Sequence, residues 1–546
     1  MSQSDMVAGN RVPVLEISGL SVRLPGKGDR GYAVRELSLT IDAGQTVCIV
    51  GESGSGKSVT AASVMRLHEL PLEAGQILLQ GEDVLAASDR RLRQLRGGRM
   101  GMIFQEPMTA LNPVHRIGFQ IEEALKTHGW GSLRKRKGRV IELLSDVHLP
   151  EPRLIAKAYP HQLSGGQRQR VMIAMALAME PSLLIADEPT TALDVTTQAQ
   201  ILKLLKELQQ KRNTAVLFIT HDFGVVADIA DQVIVMKSGT IVEQGDTKSV
   251  LYSPRHDYTK ALIAAVPRLR PRSVEIGSGN VALRAVNLTK CFGERGIFGR
   301  GRVVKAVDSL SFEVRRGTTL GIVGESGSGK STAARCVARY MAPDSGEVRI
   351  DDVDIAPLNG AALWKYRQKI QVVHQDPFRS LSPRRTIGQT LVEGPTNYGV
   401  ADAQARERAR SMLRTVGLDA SAFDRYPHQF SGGQRQRIAI ARALVMEPEI
   451  LIADEAVSAL DVSIQAQILE LFELVRDKFH VAMLFITHDL RVAARLCDEI
   501  IVMKQGGVAE RGRTQNVFSA PTHAYTRQLI AAIPGQAFLG ASTSSD

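Results

Sequence analysis

The sequence is poor in the residues that build metal boxes and secreted scaffolds. It has four cysteines in 546 residues, Cys48, Cys291, Cys336 and Cys497. No two are close enough for a zinc knuckle or a local iron–sulfur motif. The lack of a disulfide framework suits a reducing compartment. Aromatics are 5% of the chain, so the cores are expected to rest on Leu, Ile, Val, Ala and Met. The first ten residues are polar, with no apolar h-region, so no secretory signal is expected. No run of 18 or more apolar residues occurs, which excludes a membrane helix of ordinary hydropathy.

What is present is globular composition, 44% apolar and 23% charged, with a formal net charge of +11. A basic surface could meet nucleic acid, anionic lipid or a nucleotide, and the balance alone does not choose. The sharpest basic run is Arg134-Lys135-Arg136-Lys137. It reads as a solvated helix face, with anionic headgroups or a partner as the alternative. A chain this long exceeds one hydrophobic core, so two large domains are expected.

An internal repeat dominates the sequence. Gly51–Ser58 recurs unchanged at Gly324–Ser331, an offset of 273. Ser164–Arg170, Leu184–Glu188 and Phe218–Asp222 recur at Ser431–Arg437, Leu451–Glu455 and Phe485–Asp489, each at an offset of 267. The chain therefore reads as a duplicated domain, not a solenoid. The expected divisions are 12–265, a linker at 266–281, a second copy at 282–535 and a disordered tail at 536–546. The linker is rich in Pro and Gly and short enough to keep the copies at high mutual concentration.

Short apolar runs at Thr46–Val50, Leu183–Ala186, Ala215–Ile219 and Thr319–Val323 read as buried strands. Gln198–Gln210 and Gln465–Lys478 have apolar residues at helical spacing. The expected class is α/β: a duplicated P-loop NTPase cassette, each copy with a mostly parallel sheet core. The segments 107–160 and 377–427 lack the strand–helix rhythm and are assigned as inserted helical subdomains.

Five pieces of each copy carry chemistry. The loops Gly51–Ser58 and Gly324–Ser331 fit a phosphate-binding P-loop entered from a strand. Gly51, Ser53, Gly54, Gly56, Gly324, Ser326, Gly327 and Gly329 would present backbone N–H groups to phosphate oxygens, with Thr60 and Thr332 just beyond. Lys57 and Lys330 would reach the β- and γ-phosphates, and Ser58 and Ser331 would ligate magnesium. Two identical copies after apolar strands leave little room for a plain Gly-rich turn.

Asp187 and Asp454 close buried strands, where a carboxylate needs a cation or strong donors. They fit the magnesium side, and Glu188 and Glu455, one residue on, fit a base for attacking water. An N-cap pair is the bland alternative. His221 and His488 each follow an apolar strand ending in Thr, which puts an imidazole at the carboxyl edge of the sheet. Gln105 and Gln375 follow short strand ends, and their neutral amides can touch both metal and water. Taken alone, each would be a surface loop residue.

Ser164, Gly165, Gly166 and Gln167, with Ser431, Gly432, Gly433 and Gln434, form a second anion cradle before a helix. One ATP has no need of two cradles in one small domain. The economical reading has the Ser431 cradle serve the nucleotide held by Lys57, and the Ser164 cradle the one held by Lys330. For adenine, Tyr32 could stack on the base. Lys305 stands at the matching position of copy two, and Phe292 or Phe298 could replace it. An ordinary core or surface aromatic is an equal reading.

With these motifs the sequence resembles the ATP-binding cassette superfamily, in which the Gln, Asp, Glu and His positions above carry the hydrolysis machinery. Ala192-Leu193-Asp194 and Ala459-Leu460-Asp461 match the family's D-loops. More narrowly it resembles the fused twin-cassette subunits of the oligopeptide/dipeptide importer group, the peptide and glutathione type. The segments Phe104–Pro113, Gln375–Pro383, Tyr159–Gln162, Tyr426–Gln429, Ser253–Thr259 and Ala520–Thr526 carry that likeness. It implies an antiparallel β subdomain in each cassette, ATP and Mg2+ as cofactors, and ATP hydrolysis that powers solute import. It implies two transmembrane permease subunits and an extracytoplasmic solute-binding protein as partners, at the cytoplasmic face of the bacterial inner membrane. No nucleic acid is expected, and no self-assembly is required. Alternatives are a soluble twin-cassette factor on the ribosome or nucleic acid, which has a long charged linker, or an importer of a non-peptide solute. The departures are Phe430 for Leu, His374 where copy one has Phe104, and Ala456-Val457 where copy one has Pro189-Thr190. None removes a carboxylate, lysine or histidine of the sites, so two competent sites are expected. No cysteine follows Cys497, so the iron–sulfur cluster of some relatives is not expected.

Overall fold

A computed structural model describes residues 12–25, 30–191, 193–269, 271, 279–293, 303–458 and 460–541. Phe298, Ala192, Ala459, half of the expected linker and the last five residues lie outside them. The described residues form two compact units, one of 12–193, 197–266 and 534–541, the other of 194–196 and 267–533.

Each unit holds a six-stranded, mostly parallel sheet. In the first, the strand Thr46–Val50 lies between parallel Ala215–Ile219 and Gln232–Lys237, and Leu183–Asp187 and Met100–Ile103 extend the sheet on one side. The edge strand Thr240–Asp246 is antiparallel. The second unit repeats this order around Thr319–Val323. The inner strands are continuous apolar runs because both faces are covered. A separate four-stranded antiparallel sheet packs into the same core, with strands Leu15–Arg23 and Tyr32–Ile41 in one unit and Val281–Phe292 and Val304–Arg315 in the other.

These cores are aliphatic, as the scarcity of aromatics implies. No aromatic residue belongs to the first among the described residues, and Phe312 is the one fully buried ring in the second. The expected helical subdomains are present. Helices Ile117–Thr127 and Leu133–Asp146 pair in one unit, and Ile387–Asn397 and Asp402–Thr415 in the other.

The tail differs from expectation. Gln536–Ala541 is a helix packed on Phe223–Ile229 of the first unit. Phe538 is buried edge-on to the Tyr252 ring, 5.5 Å between centroids, and the Gly535 N–H donates to Asp228 Oδ2 at 3.0 Å. A Gly-, Ala- and Ser-rich composition hid a single aromatic anchor.

Candidate active sites

Each P-loop joins the central strand to a helix, Lys57–Val64 or Lys330–Val337. Gly56 and Gly329 cap those helices in the left-handed region, at φ 107° and 104°. A side chain there would strike the carbonyl of Ala33 or Ala306. Gly54 and Gly327 face open space. The loops are therefore bare, convex-free cradles at a helix N-terminus, which suits a phosphate chain. Inside them Ser55 Oγ and Ser328 Oγ are buried with no protein partner. Lys57 Nζ donates to Gly51 O at 2.7 Å and Glu52 O at 2.8 Å, and Lys330 Nζ to Gly324 O and Glu325 O, both at 2.7 Å. The ammonium groups are thus parked on loop carbonyls inside the cradle.

Ser58 Oγ donates to Asp187 Oδ1 at 3.1 Å, and Ser331 Oγ to Asp454 Oδ1 at 2.9 Å. Burial pushes both aspartates above the usual carboxylate range, and the neighbouring glutamate adds to the shift. A buried carboxylate beside a hydroxyl and a phosphate cradle fits a hard divalent cation.

The glutamates go the other way. Glu188 and Glu455 follow their strands at φ 45° and 50°, left-handed backbone that is strained for a glutamate. Burial opposes ionisation of Glu188, yet the hydrogen bond and charge of His221, the Thr191 hydroxyl and the charge of Lys57 together pull it down to about 2. His221 Nδ1 lies 3.3 Å from Glu188 Oε1. Gln105 Nε2 and Thr191 Oγ1 each donate to Oε2 at 2.9 Å. Glu455 is likewise lowered against its burial, by His488 and Lys330, but His488 Nδ1 stands 3.7 Å away. Gln375 donates instead to Ser458 Oγ at 3.3 Å, and Ser458 Oγ to the Glu455 main-chain carbonyl at 3.0 Å. The turn after the second strand also leaves Gln436 Nε2 buried without a partner, where Gln169 Nε2 donates to Pro189 O.

Lysine, serine, aspartate, glutamate, glutamine and histidine are therefore gathered within each unit, as the sequence implied. The signature residues cap helices. Ser164 and Gln167, and Ser431 and Gln434, form reciprocal capping boxes at Gly165–Ala176 and Gly432–Leu444. Gly166 and Gly433 are needed for packing, since a Cβ would meet Thr197 or Ile464, whereas Gly165 and Gly432 have room for an approaching ligand. Thr60, expected beside the nucleotide, is fully buried and its hydroxyl donates to Gly56 O at 3.0 Å, which locks the first turn of the helix. Thr332 is half-buried and stands at the register of Val59. Tyr32 is half-buried beside the P-loop cap, its hydroxyl donating to Glu73 Oε1 at 2.9 Å and Arg35 5.8 Å from its ring. Phe292, 43% exposed, sits opposite Val304, next to Lys305.

Sequence reasoning missed Arg30, whose Nη1 donates to the P-loop carbonyl of Gly54. It missed Thr191 as a partner of Glu188. It also missed two tyrosines, Tyr258 and Tyr525, that touch the P-loops from the far end of each cassette. The signal was present in their duplicated Pro-x-His-x-Tyr-Thr setting.

A P-loop, a serine–aspartate pair, a strained glutamate and a histidine, twice over on parallel sheets, define a twin nucleotide-hydrolysing ATPase. The ABC transporter family model matches residues 34–191 and 307–458, more than half of the chain, and the chain belongs to that family. Residues 242–295 and 509–537 match the C-terminal region of oligopeptide/dipeptide transporters, which places the chain among the twin-cassette ATPases of that importer group. Similar proteins include the Glutathione import ATP-binding protein GsiA of Pectobacterium atrosepticum, 45% identical over 97% of this chain and 92% of its own. The proteins of that name from Salmonella typhimurium (95% and 89%) and Escherichia coli K12 (98% and 91%) are also 45% identical. ATP and Mg2+ are the family's cofactors. No helix among the described residues is long and apolar enough to cross a membrane.

Proposed function

We propose that this chain hydrolyses ATP to drive import of peptides, or of a peptide-like solute such as glutathione, through two permease subunits at the cytoplasmic face of the bacterial inner membrane. An extracytoplasmic binding protein delivers the solute. One observation carries the reading: each cassette holds the full hydrolytic set, and each ends in the oligopeptide-type C-terminal element. The relatives named above are glutathione import proteins.

Bound magnesium supplies charge neutralisation for the triphosphate, held by Ser58, Asp187 and Gln105 in one cassette and Ser331, Asp454 and Gln375 in the other. Lys57 and Lys330 leave their loop carbonyls for the β- and γ-phosphates. Glu188 and Glu455 accept a proton from the attacking water, and His221 and His488 orient that glutamate and the γ-phosphate edge. Gly165 and Gly432 leave room beside each signature Ser for an approaching nucleotide. Binding energy then orders the site before water attacks. Tyr32, and Phe292 in the second cassette, are the proposed adenine platforms.

The experiment is reconstitution in proteoliposomes with two permease subunits of the oligopeptide/dipeptide importer type. ATP-dependent uptake of a labelled dipeptide or of glutathione, with ATP turnover stimulated by the loaded binding protein, is the expected result. ATP turnover indifferent to permeases and solute would overturn the transport reading.

A further inference from the structure

The C-terminal element of each cassette reaches back to its own P-loop. Tyr258 lies in the first turn of the helix Asp257–Ala265, which is capped by His256, whose Nδ1 accepts the Tyr258 N–H at 3.1 Å. The chain before the cap is pinned by Glu243, which accepts the N–H groups of Arg255 at 2.7 Å and His256 at 3.1 Å. From this mount the Tyr258 hydroxyl accepts the Glu52 N–H at 3.3 Å and donates to the Glu52 carboxylate at 3.2 Å. Lys237 lies over its ring at 4.7 Å.

The second cassette repeats the mount, the main-chain contact and the lysine over the ring. Glu510 accepts from the N–H groups of Thr522 at 2.8 Å and His523 at 3.1 Å. His523 caps Ala524–Ala531 through the Tyr525 N–H, Tyr525 Oη accepts the Glu325 N–H at 3.2 Å, and Lys504 lies 4.6 Å over the ring. Burial pushes the Tyr525 phenol up to about 12, which keeps it protonated and able to donate to the Glu325 carboxylate.

The peptide unit between Gly51 and Glu52 is thereby held at both ends. Its carbonyl takes the Lys57 ammonium and its N–H takes the Tyr258 oxygen. The Gly324–Glu325 peptide is held in the same way by Lys330 and Tyr525. ATP must draw the lysine off that carbonyl. The tyrosine then fixes the plane of the loop while the lysine moves.

We propose that Tyr258 and Tyr525 are positioning residues that tie the C-terminal element to the P-loop and set its readiness for nucleotide. This rests on the ATPase reading above. Two copies with different surrounding sequence build the same contact, which a fortuitous packing of one helix would not do.

The test uses the full chain with the Tyr258→Phe and Tyr525→Phe changes, singly and together. Each keeps the ring and the lysine contact and removes the hydroxyl. The expected result is a rise of about three- to tenfold in the ATP KM of the double variant, the worth of one ordinary hydrogen bond per site. Its kcat stays within about twofold of the parent, and its melting temperature is unchanged. An intermediate Kd for a fluorescent ATP analogue is expected in each single variant. An unchanged KM and Kd would overturn the proposal, as would a fall in melting temperature with affinity intact. If the parent chain itself turns over no ATP while Lys57→Ala and parent bind nucleotide alike, the ATPase reading fails instead.

Discussion

Thr191 donates its hydroxyl to Glu188 Oε2 at 2.9 Å, while the matching Ser458 donates to the main-chain carbonyl of Glu455. The two glutamates therefore have different support. Glu188 is oriented by three side chains, whereas the contact of Glu455 with His488 is longer, 3.7 Å against 3.3 Å. The Ala456-Val457-Ser458 turn is the source of the difference.

The first prediction follows from that asymmetry. Glu455→Gln leaves the better-ordered site and should retain more ATP turnover than Glu188→Gln, by about threefold or more, the scale of one oriented hydrogen bond. Thr191→Val in the Glu455→Gln background should lower kcat by a similar factor. Steady-state phosphate release checks both. Equal residual rates would show that the extra contacts do not matter.

A second prediction concerns pH. Asp187 has a raised pKa in the folded chain, chiefly from burial. A carboxyl raised on folding destabilises the fold above its folded pKa, and the penalty is relieved as pH falls through that value. Asp187→Asn should therefore raise the melting temperature of the nucleotide-free protein in EDTA near pH 8. The gain should shrink toward pH 4, and magnesium-dependent turnover should be lost. Calorimetry across pH measures the first effect; a variant less stable than the parent at pH 8 would contradict it.

A third prediction concerns the tail. Phe538→Ser removes the one buried ring of the terminal helix and should free that segment. Faster proteolytic cleavage within 536–541 is expected, with ATP turnover at the second site retained. Cleavage at the parent rate would mean that Phe538 does not hold the helix.

The strands of the sites were legible because burial on both faces writes itself as an unbroken apolar run. Thr46–Val50, Ala215–Ile219 and Thr319–Val323 have the bounds the sequence implied. The helices Val195–Arg212 and Val462–Phe479 begin three residues before their expected starts, since Val195-Thr196-Thr197 and its copy lack an obvious periodic face. Thr60 looked like a P-loop group because it follows the motif, but helix geometry turns its hydroxyl to Gly56. The Tyr258 contact was invisible because it joins residues 206 apart through a hairpin and a cap. Nothing in local periodicity encodes such a reach. The Phe538 anchor was missed because composition averages over one ring.

The most direct measurement is nucleotide retention by the Glu188→Gln/Glu455→Gln chain, stripped of free ATP by rapid desalting. The account predicts that both sites keep ATP, and that replacing Ser164 and Ser431 with arginine abolishes the retention although both P-loops are intact. Retention that survives those replacements would mean that the signature serines take no part in holding nucleotide, and the coupling of hydrolysis to transport proposed here would be contradicted.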